Sequence, residues 1–167
     1  MTVGKKIKSL FRKKEVDLIK RISIYISLKH QQLIIAPLNS NNAGTIYEQE
    51  KCFISDYPID TNELGSQVTN HLNIYSIKDK NLYNAKASEW PAFKHSKVKT
   101  IKAFEEFYIR ISVHSVNSSN LILEISGVPS NNNELTVNSS ISFNAKSSEI
   151  GKRVLKVFEA CITGKLS

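Results

Sequence analysis

The side chains most often recruited for catalysis are spread thinly along this chain. Its four histidines, His30, His71, His95 and His114, have no cysteine, carboxylate or second histidine at a spacing that commonly builds a metal site. Each reads as a satisfied or exposed imidazole. The six glycines, Gly4, Gly44, Gly65, Gly127, Gly151 and Gly164, are isolated, so no glycine-rich loop can cradle a phosphate. Serines are abundant but sit in polar turns, with no nucleophile-elbow pattern around them. Adjacent carboxylates occur at Glu105-Glu106, between Phe104 and Phe107. Neighbours on a helix point in different directions, which argues against joint acid and base work. Cys52 and Cys161 lie in apolar surroundings and read as reduced buried thiols rather than a disulfide. The expectation is a protein that is not an enzyme, with no catalytic residues, no metal and no cofactor.

The formal charge of +8 over 167 residues points first to an anionic partner. Its distribution changes that reading. Residues 1–14 hold Lys5, Lys6, Lys8, Arg12, Lys13 and Lys14 and no acid, which leaves +2 for the rest, where 17 Lys and Arg face 15 Asp and Glu. The basic character belongs to an arm. Within it Ile7, Leu10 and Phe11 recur at helical spacing among lysines, a pattern suited to an anionic membrane or a phosphate backbone. With only three apolar residues, a solvated or docked first helix is the preferred reading. Nucleic acid is expected only through this arm. No apolar run approaches the roughly 20 residues that span a bilayer, and no signal peptide is visible, so a cytoplasmic location is expected.

The elements that must position any site are legible as a repeat. Arg21-Ile22-Ser23-Ile24-Tyr25 returns as Arg110-Ile111-Ser112-Val113-His114 at an offset of 89 residues, Leu33-Ile34-Ile35 as Leu121-Ile122-Leu123 at 88, and Glu63-Leu64-Gly65 as Glu149-Ile150-Gly151 at 86. Ile22, Ile24, Ile26 and Leu28 alternate with polar residues, which predicts a strand with one buried face. Gln31 and Gln32 make the turn, and Leu33 to Leu38 follow as a strand ended by Pro37 and the Asn39–Gly44 turn cluster. Thr45 to Glu48 and Lys51 to Ser55 are shorter strands. Asp60 then offers an N-cap with Glu63 three residues on, opening a helix with a Leu64, Val68, Leu72 stripe. In the second unit Ile109/Ile111/Val113 and Leu121/Leu123/Ile125 give two strands, Ser130–Asn133 a turn, and Leu135/Val137 and Ile141/Phe143 two shorter strands. Ser147 or Ser148 caps a final helix with Ile150, Val154, Phe158 and Ile162 at intervals of four.

The predicted fold is therefore α+β: a single domain of two repeated antiparallel four-strand-plus-helix units. The basic arm covers 1–14 and the globular domain 15–167, with unit one at about 20–73, a connector at 74–107 and unit two at 108–163. The connector carries Tyr75, Tyr83, Trp90, Pro91 and Phe93 and leads through Val98, Ile101 and Phe104 into a short helix. Its aromatics are expected to pack over a sheet edge or between the repeats, and it can also present a recognition surface.

The strand-rich first half ending in Asp60-Thr61-Asn62-Glu63-Leu64-Gly65, with the later Lys97-Val98-Lys99-Thr100-Ile101-Lys102-Ala103-Phe104-Glu105-Glu106-Phe107-Tyr108-Ile109-Arg110-Ile111, resembles the CdiI immunity proteins of bacterial contact-dependent growth inhibition systems. The resemblance covers about 16–161. It implies a small cytoplasmic antidote that binds the toxic C-terminal domain of a cognate CdiA protein, a ribonuclease or deoxyribonuclease, and occludes its active site as a monomer in a one-to-one complex. It carries over no contact residues. Antidotes to nucleases are often acidic, whereas this body is near neutral, which favours shape and hydrogen bonding around a local acidic patch. The patch candidates are Asp56, Asp60, Glu63, Glu89, Glu105 and Glu106, with Tyr83, Trp90 and Phe93 as aromatic anchors. The repeat is also similar to the Whirly family of single-stranded DNA binders, though that family's Lys-Gly-Lys-Ala-Ala-Leu signature is missing and only Tyr25 and Tyr47 are outward aromatics that could stack bases.

Overall fold

The computed structural model describes residues 19–127 and 135–165. The basic arm and the turn expected at Ser130–Asn133 lie outside the described residues. The chain runs β1 (Arg21–Ser27), β2 (Gln32–Ser40), β3 (Ile46–Glu48), β4 (Phe53–Asp56), α1 (Thr61–Asn73), β5 (Ser76–Ile77), a 3-10 turn (Ala87–Glu89), α2 (Pro91–His95), α3 (Ile101–Phe107), β6 (Ile109–Ser115), β7 (Asn120–Gly127), β8 (Leu135–Ser142) and α4 (Ser147–Thr163). The result is one α+β domain. Its sheet is ordered β3-β2-β1-β6-β7-β8, with β4 on the same strand as β3 and the short β5 joining β2 in parallel.

The first strands of the two repeats meet at the centre of the sheet. β1 and β6 pair antiparallel with Ser23 opposite Ser112, Ile22 opposite Val113 and Ile24 opposite Ile111. At the repeat offset of 89, Ser112 is the counterpart of Ser23, and Val113 and Ile111 are the counterparts of Ile24 and Ile22. Each contact is thus matched by its repeat-mate, the self-complementary pattern of a twofold interface. The alternation seen in the sequence sends Ile22, Ile24, Ile26, Ile111 and Val113 to one face, where they are buried.

That face is covered by α1 and α4. Leu64, Val68 and Leu72 of α1 and Ile150, Val154, Val157 and Phe158 of α4 complete a core with Leu33, Ile35, Leu121 and Leu123. The two helices cross at their glycines. A Cβ on Gly65 would stand 1.7 Å from the Ser147 carbonyl oxygen, and one on Gly151 would stand 1.9 Å from that of Thr61. Since Ser147 is the repeat-mate of Thr61 and Gly151 of Gly65, the same twofold relation governs the helix layer. Backbone approaches backbone at both points, and no side chain fits between.

Four local expectations change. Pro37 does not end β2: its carbonyl accepts from the Gln49 N–H (2.8 Å), so its ring nitrogen faces the edge where β4 has ended and β3 has yet to begin. Leu28 is exposed, because β1 stops at Ser27 and the turn runs through Leu28 to Gln31, the latter at φ 46. The third and fourth strands expected in the second half are one strand, β8, since β7 is long enough to pair it from Asn120 to Gly127 without a break. Lys146, the repeat-mate of Asp60, holds the N-cap of α4 and makes no side-chain cap bond, whereas Asp60 accepts from the Asn62 and Glu63 N–H groups at 2.9 and 3.0 Å.

The glycine crossing gives a direct test. Gly65→Ala and Gly151→Ala should each lose about 3 kcal/mol of stability, because a rigid carbonyl must move to admit the methyl. The exposed helix substitution Asn70→Ala should stay within about 0.5 kcal/mol. Urea midpoints at matched slope would measure this, and a Gly65→Ala midpoint equal to that of the parent would refute the crossing.

Candidate functional site

The second face of the sheet is covered unevenly. Over β1 and β2 the connector folds back, and Ala92 of α2, Phe104 of α3 and Tyr108 pack on Tyr25, Ile34 and Ala36 in a second core. Phe104 lies 5.1 Å from the Tyr25 ring and 4.9 Å from that of Tyr108. Thr100 starts α3 by accepting from the Ala103 N–H at 3.2 Å, so the helix begins after Val98, which packs on this core from the preceding loop. Over β6, β7 and β8 the same face is polar and partly open, with Ser112, Glu124, Ser126 and Asn138 directed outward.

Where covered face meets open face lies a groove of about 700 Å³. Its size is that of a ligand or side-chain pocket. The floor is Ser23 and Tyr25 of β1 with Arg110 of β6, cross-strand neighbour of Tyr25. One wall is β3 with Ile46, Tyr47 and Glu48, and the other is the connector from Lys80 to Pro91. Tyr83 and Trp90 stand on the rim, 91% and 41% exposed. Lys80 and Lys86 add positive charge beside Glu89.

Glu48 is the electrostatic centre of this groove. The Tyr25 hydroxyl donates to Oε1 (2.7 Å) and the Ala92 N–H at the start of α2 donates to Oε2 (2.8 Å). Burial pushes its pKa above the usual carboxylate value, while the Ala92 and Tyr25 hydrogen bonds and the Arg110 charge pull it partly back. Burial, then the Glu48 charge, raises the Tyr25 phenol, which stays protonated as a donor. The same two causes, with Glu50, push the Cys52 thiol up to about 12, so it is held as the unreactive thiol. Cys161 is buried and its thiol is raised by that burial, and neither cysteine is in a disulfide.

Of the residues singled out by sequence, the structure brings Tyr83, Glu89 and Trp90 together on this groove. Phe93 turns inward, edge-on to Phe104 at 5.7 Å. Asp60 is occupied as the α1 cap, with Glu63 exposed in the first turn. Asp56 is exposed and 3.7 Å from Lys97, and Glu105 and Glu106 lie exposed on α3. These six do not form one patch with the groove residues. Tyr25 is buried beneath the connector, and Tyr47 donates to the Lys78 carbonyl at 2.6 Å with the Lys80 ammonium near its ring, so neither is a free platform for a base. Sequence reading passed over Glu48 and Arg110 as site residues and took Tyr25 only as an outward aromatic. The one local signal was that Tyr25 replaces the histidine of the second repeat.

A half-buried acid with a raised pKa has a definite effect on stability. The unfolded chain titrates Glu48 near 4.5, and the folded chain holds the proton to higher pH. Folded protein therefore binds more protons above that value, and Glu48 ionisation lowers stability as pH rises through its folded pKa. Glu48→Gln should remove this decline while its amide keeps partners in both Tyr25 and Ala92. Glu48→Ala, which orphans both donors, should cost about 1–3 kcal/mol. Urea midpoints at acidic and neutral pH would show it; a parent-to-Gln difference independent of pH would contradict the assignment.

No protein-family model matches this chain, and no curated protein matches it in sequence. Solved structures do resemble it. A protein of unknown function from Neisseria meningitidis aligns with a TM-score of 0.65 at 14% identity, over 87% of this chain and 96% of its own. A chain of the CdiA-CT/CdiI toxin and immunity complex from Yersinia pseudotuberculosis aligns with a TM-score of 0.66 at 13% identity, over 86% of this chain and 98% of its own. At such identities the likeness is one of fold: this chain shares its α+β architecture with both proteins.

Proposed function

We propose that this protein is an immunity protein, a cytoplasmic antidote that binds the toxic C-terminal nuclease domain of a cognate CdiA effector and occludes its active site. The observation that carries the reading is the near full-length likeness to a chain of a toxin and immunity complex, spanning both repeats and the connector between them. The groove adds a place for the contact. Its rim residues Tyr83 and Trp90 are aromatic and exposed, types enriched where binding energy concentrates, and Glu89 beside them can pair with a base on the toxin. A body charge of only +2 leaves shape and hydrogen bonding, rather than mimicry of nucleic acid, as the main source of fit.

The partner to test is the C-terminal domain of a large secreted protein encoded immediately upstream of this chain. A one-to-one complex that abolishes the domain's nuclease activity is the expected result; undiminished activity in the presence of excess protein would sink the proposal. Within a complex, Trp90→Ala should weaken binding by about 2 kcal/mol, roughly thirtyfold in Kd. Glu63→Ala, on the far side of the α1 cap, should change it by less than about twofold. Titration calorimetry measures both, and circular dichroism confirms that each variant is folded.

A further inference from the structure

The floor of the groove carries a guanidinium without a close counter-charge. Arg110 of β6 is exposed there. The ion pairs among the described residues are Lys94 with Glu50 and Lys97 with Asp56, and Arg110 is in neither. Tyr25, its cross-strand neighbour, sends its hydroxyl the other way, to Glu48 Oε1 at 2.7 Å, while the Ala92 N–H takes Oε2 at 2.8 Å. Both oxygens of the acid that could have paired with Arg110 are thus engaged, and the Arg110 charge reaches Glu48 only through space. Lys80 and Lys86 bring two more cations to the same groove from the connector, and neither belongs to an ion pair among the described residues. The Lys80 ammonium stands 5.3 Å from the Tyr47 ring centroid. Where an acidic patch was expected, the groove has a cationic floor, with Glu89 as the acid beside Trp90 on its rim.

We infer that the groove receives an acidic side chain of the toxin, an aspartate or glutamate seated on Arg110 with Lys80 and Lys86 around it. The inference rests on the immunity reading of this site and adds to it the sign of the partner's charge. A guanidinium presents a planar fork of N–H donors that matches a carboxylate with two parallel hydrogen bonds. A partner that closed the groove with an apolar or basic side chain would bury Arg110 unpaired, which is costly, so an occupant that fits must carry the counter-charge. The same reasoning applies at the rim with the sign reversed, where Glu89 suits a base of the same partner. A nucleic-acid strand would lay successive phosphates against Glu89 as well as against the cations, whereas one carboxylate on the floor meets the cations alone.

The test is titration calorimetry of the full chain with the toxin domain encoded upstream, at low and high salt. Arg110→Gln should weaken binding about thirtyfold or more, and Arg110→Lys, which keeps the charge but not the fork, about tenfold. Lys80→Gln together with Lys86→Gln should weaken it about fivefold and flatten its salt dependence. Among toxin variants, one Asp→Asn or Glu→Gln should cost as much as Arg110→Gln by itself and nothing further when combined with it, the coupling of a direct contact. Arg110 is exposed on its strand, so circular dichroism should show each variant folded. Parent affinity in Arg110→Gln would overturn the inference and leave the immunity reading intact. So would a complex in which no acid of the toxin couples to Arg110. Absence of any complex with the parent chain would remove both. Binding of a single-stranded oligonucleotide that is lost in Arg110→Gln would also overturn the inference, by assigning the cationic floor to phosphates.

Discussion

The pairing of β1 with β6 is the constraint on which the remaining structure depends. With Ser23 opposite its own repeat-mate Ser112, Ile22 faces the repeat-mate of Ile24 and Ile24 faces that of Ile22. A slip of one residue would put Ile22 and Ile24 on the face opposite to Ile111 and Val113. The same symmetry sets the helix layer, where Gly65 and Gly151 let α1 and α4 approach until each backbone meets the carbonyl of the other. Two halves that could not each bury a helix face become one core by lying on one another.

The groove lies where that symmetry is broken. The connector follows α1 and folds over β1 and β2 alone, covering one half of the second sheet face and leaving the other half polar. A groove forms at this boundary because the covered half rises above the open half. Tyr25 is buried and Glu48 half-buried there by the connector, and Ala92 at the start of α2 closes the network. Burying a carboxylate is unfavourable by itself, and here it is offset by two donated hydrogen bonds and the nearby Arg110. Such a network ties β1, β3 and α2 into one arrangement and holds the groove in shape.

The exposed surface follows the same division. The aromatic residues Tyr83 and Trp90 stand exposed on the groove rim beside Glu89, whereas Phe93 of the same connector is turned into the second core.

Much of the architecture is legible in the chain because it rests on short-range periodicity. Alternation at Ile22–Ile26, the stripe at Leu64, Val68 and Leu72, the Asp60 cap and the repeat itself all depend on spacing along the sequence, and the α+β class follows from them. Pro37 and β8 read less well, since whether a strand continues is decided by which edges its neighbours occupy. The rim residues Tyr83, Glu89 and Trp90 are named from the connector's composition, but the floor of the groove could not be read in this way. Tyr25, Glu48 and Arg110 are far apart in sequence, and only cross-strand register and the return of the connector bring them together. Local pattern thus determined which elements form and which faces they bury, while long-range pairing alone decided which polar groups share a site, because that pairing depends on strand order and not on periodicity.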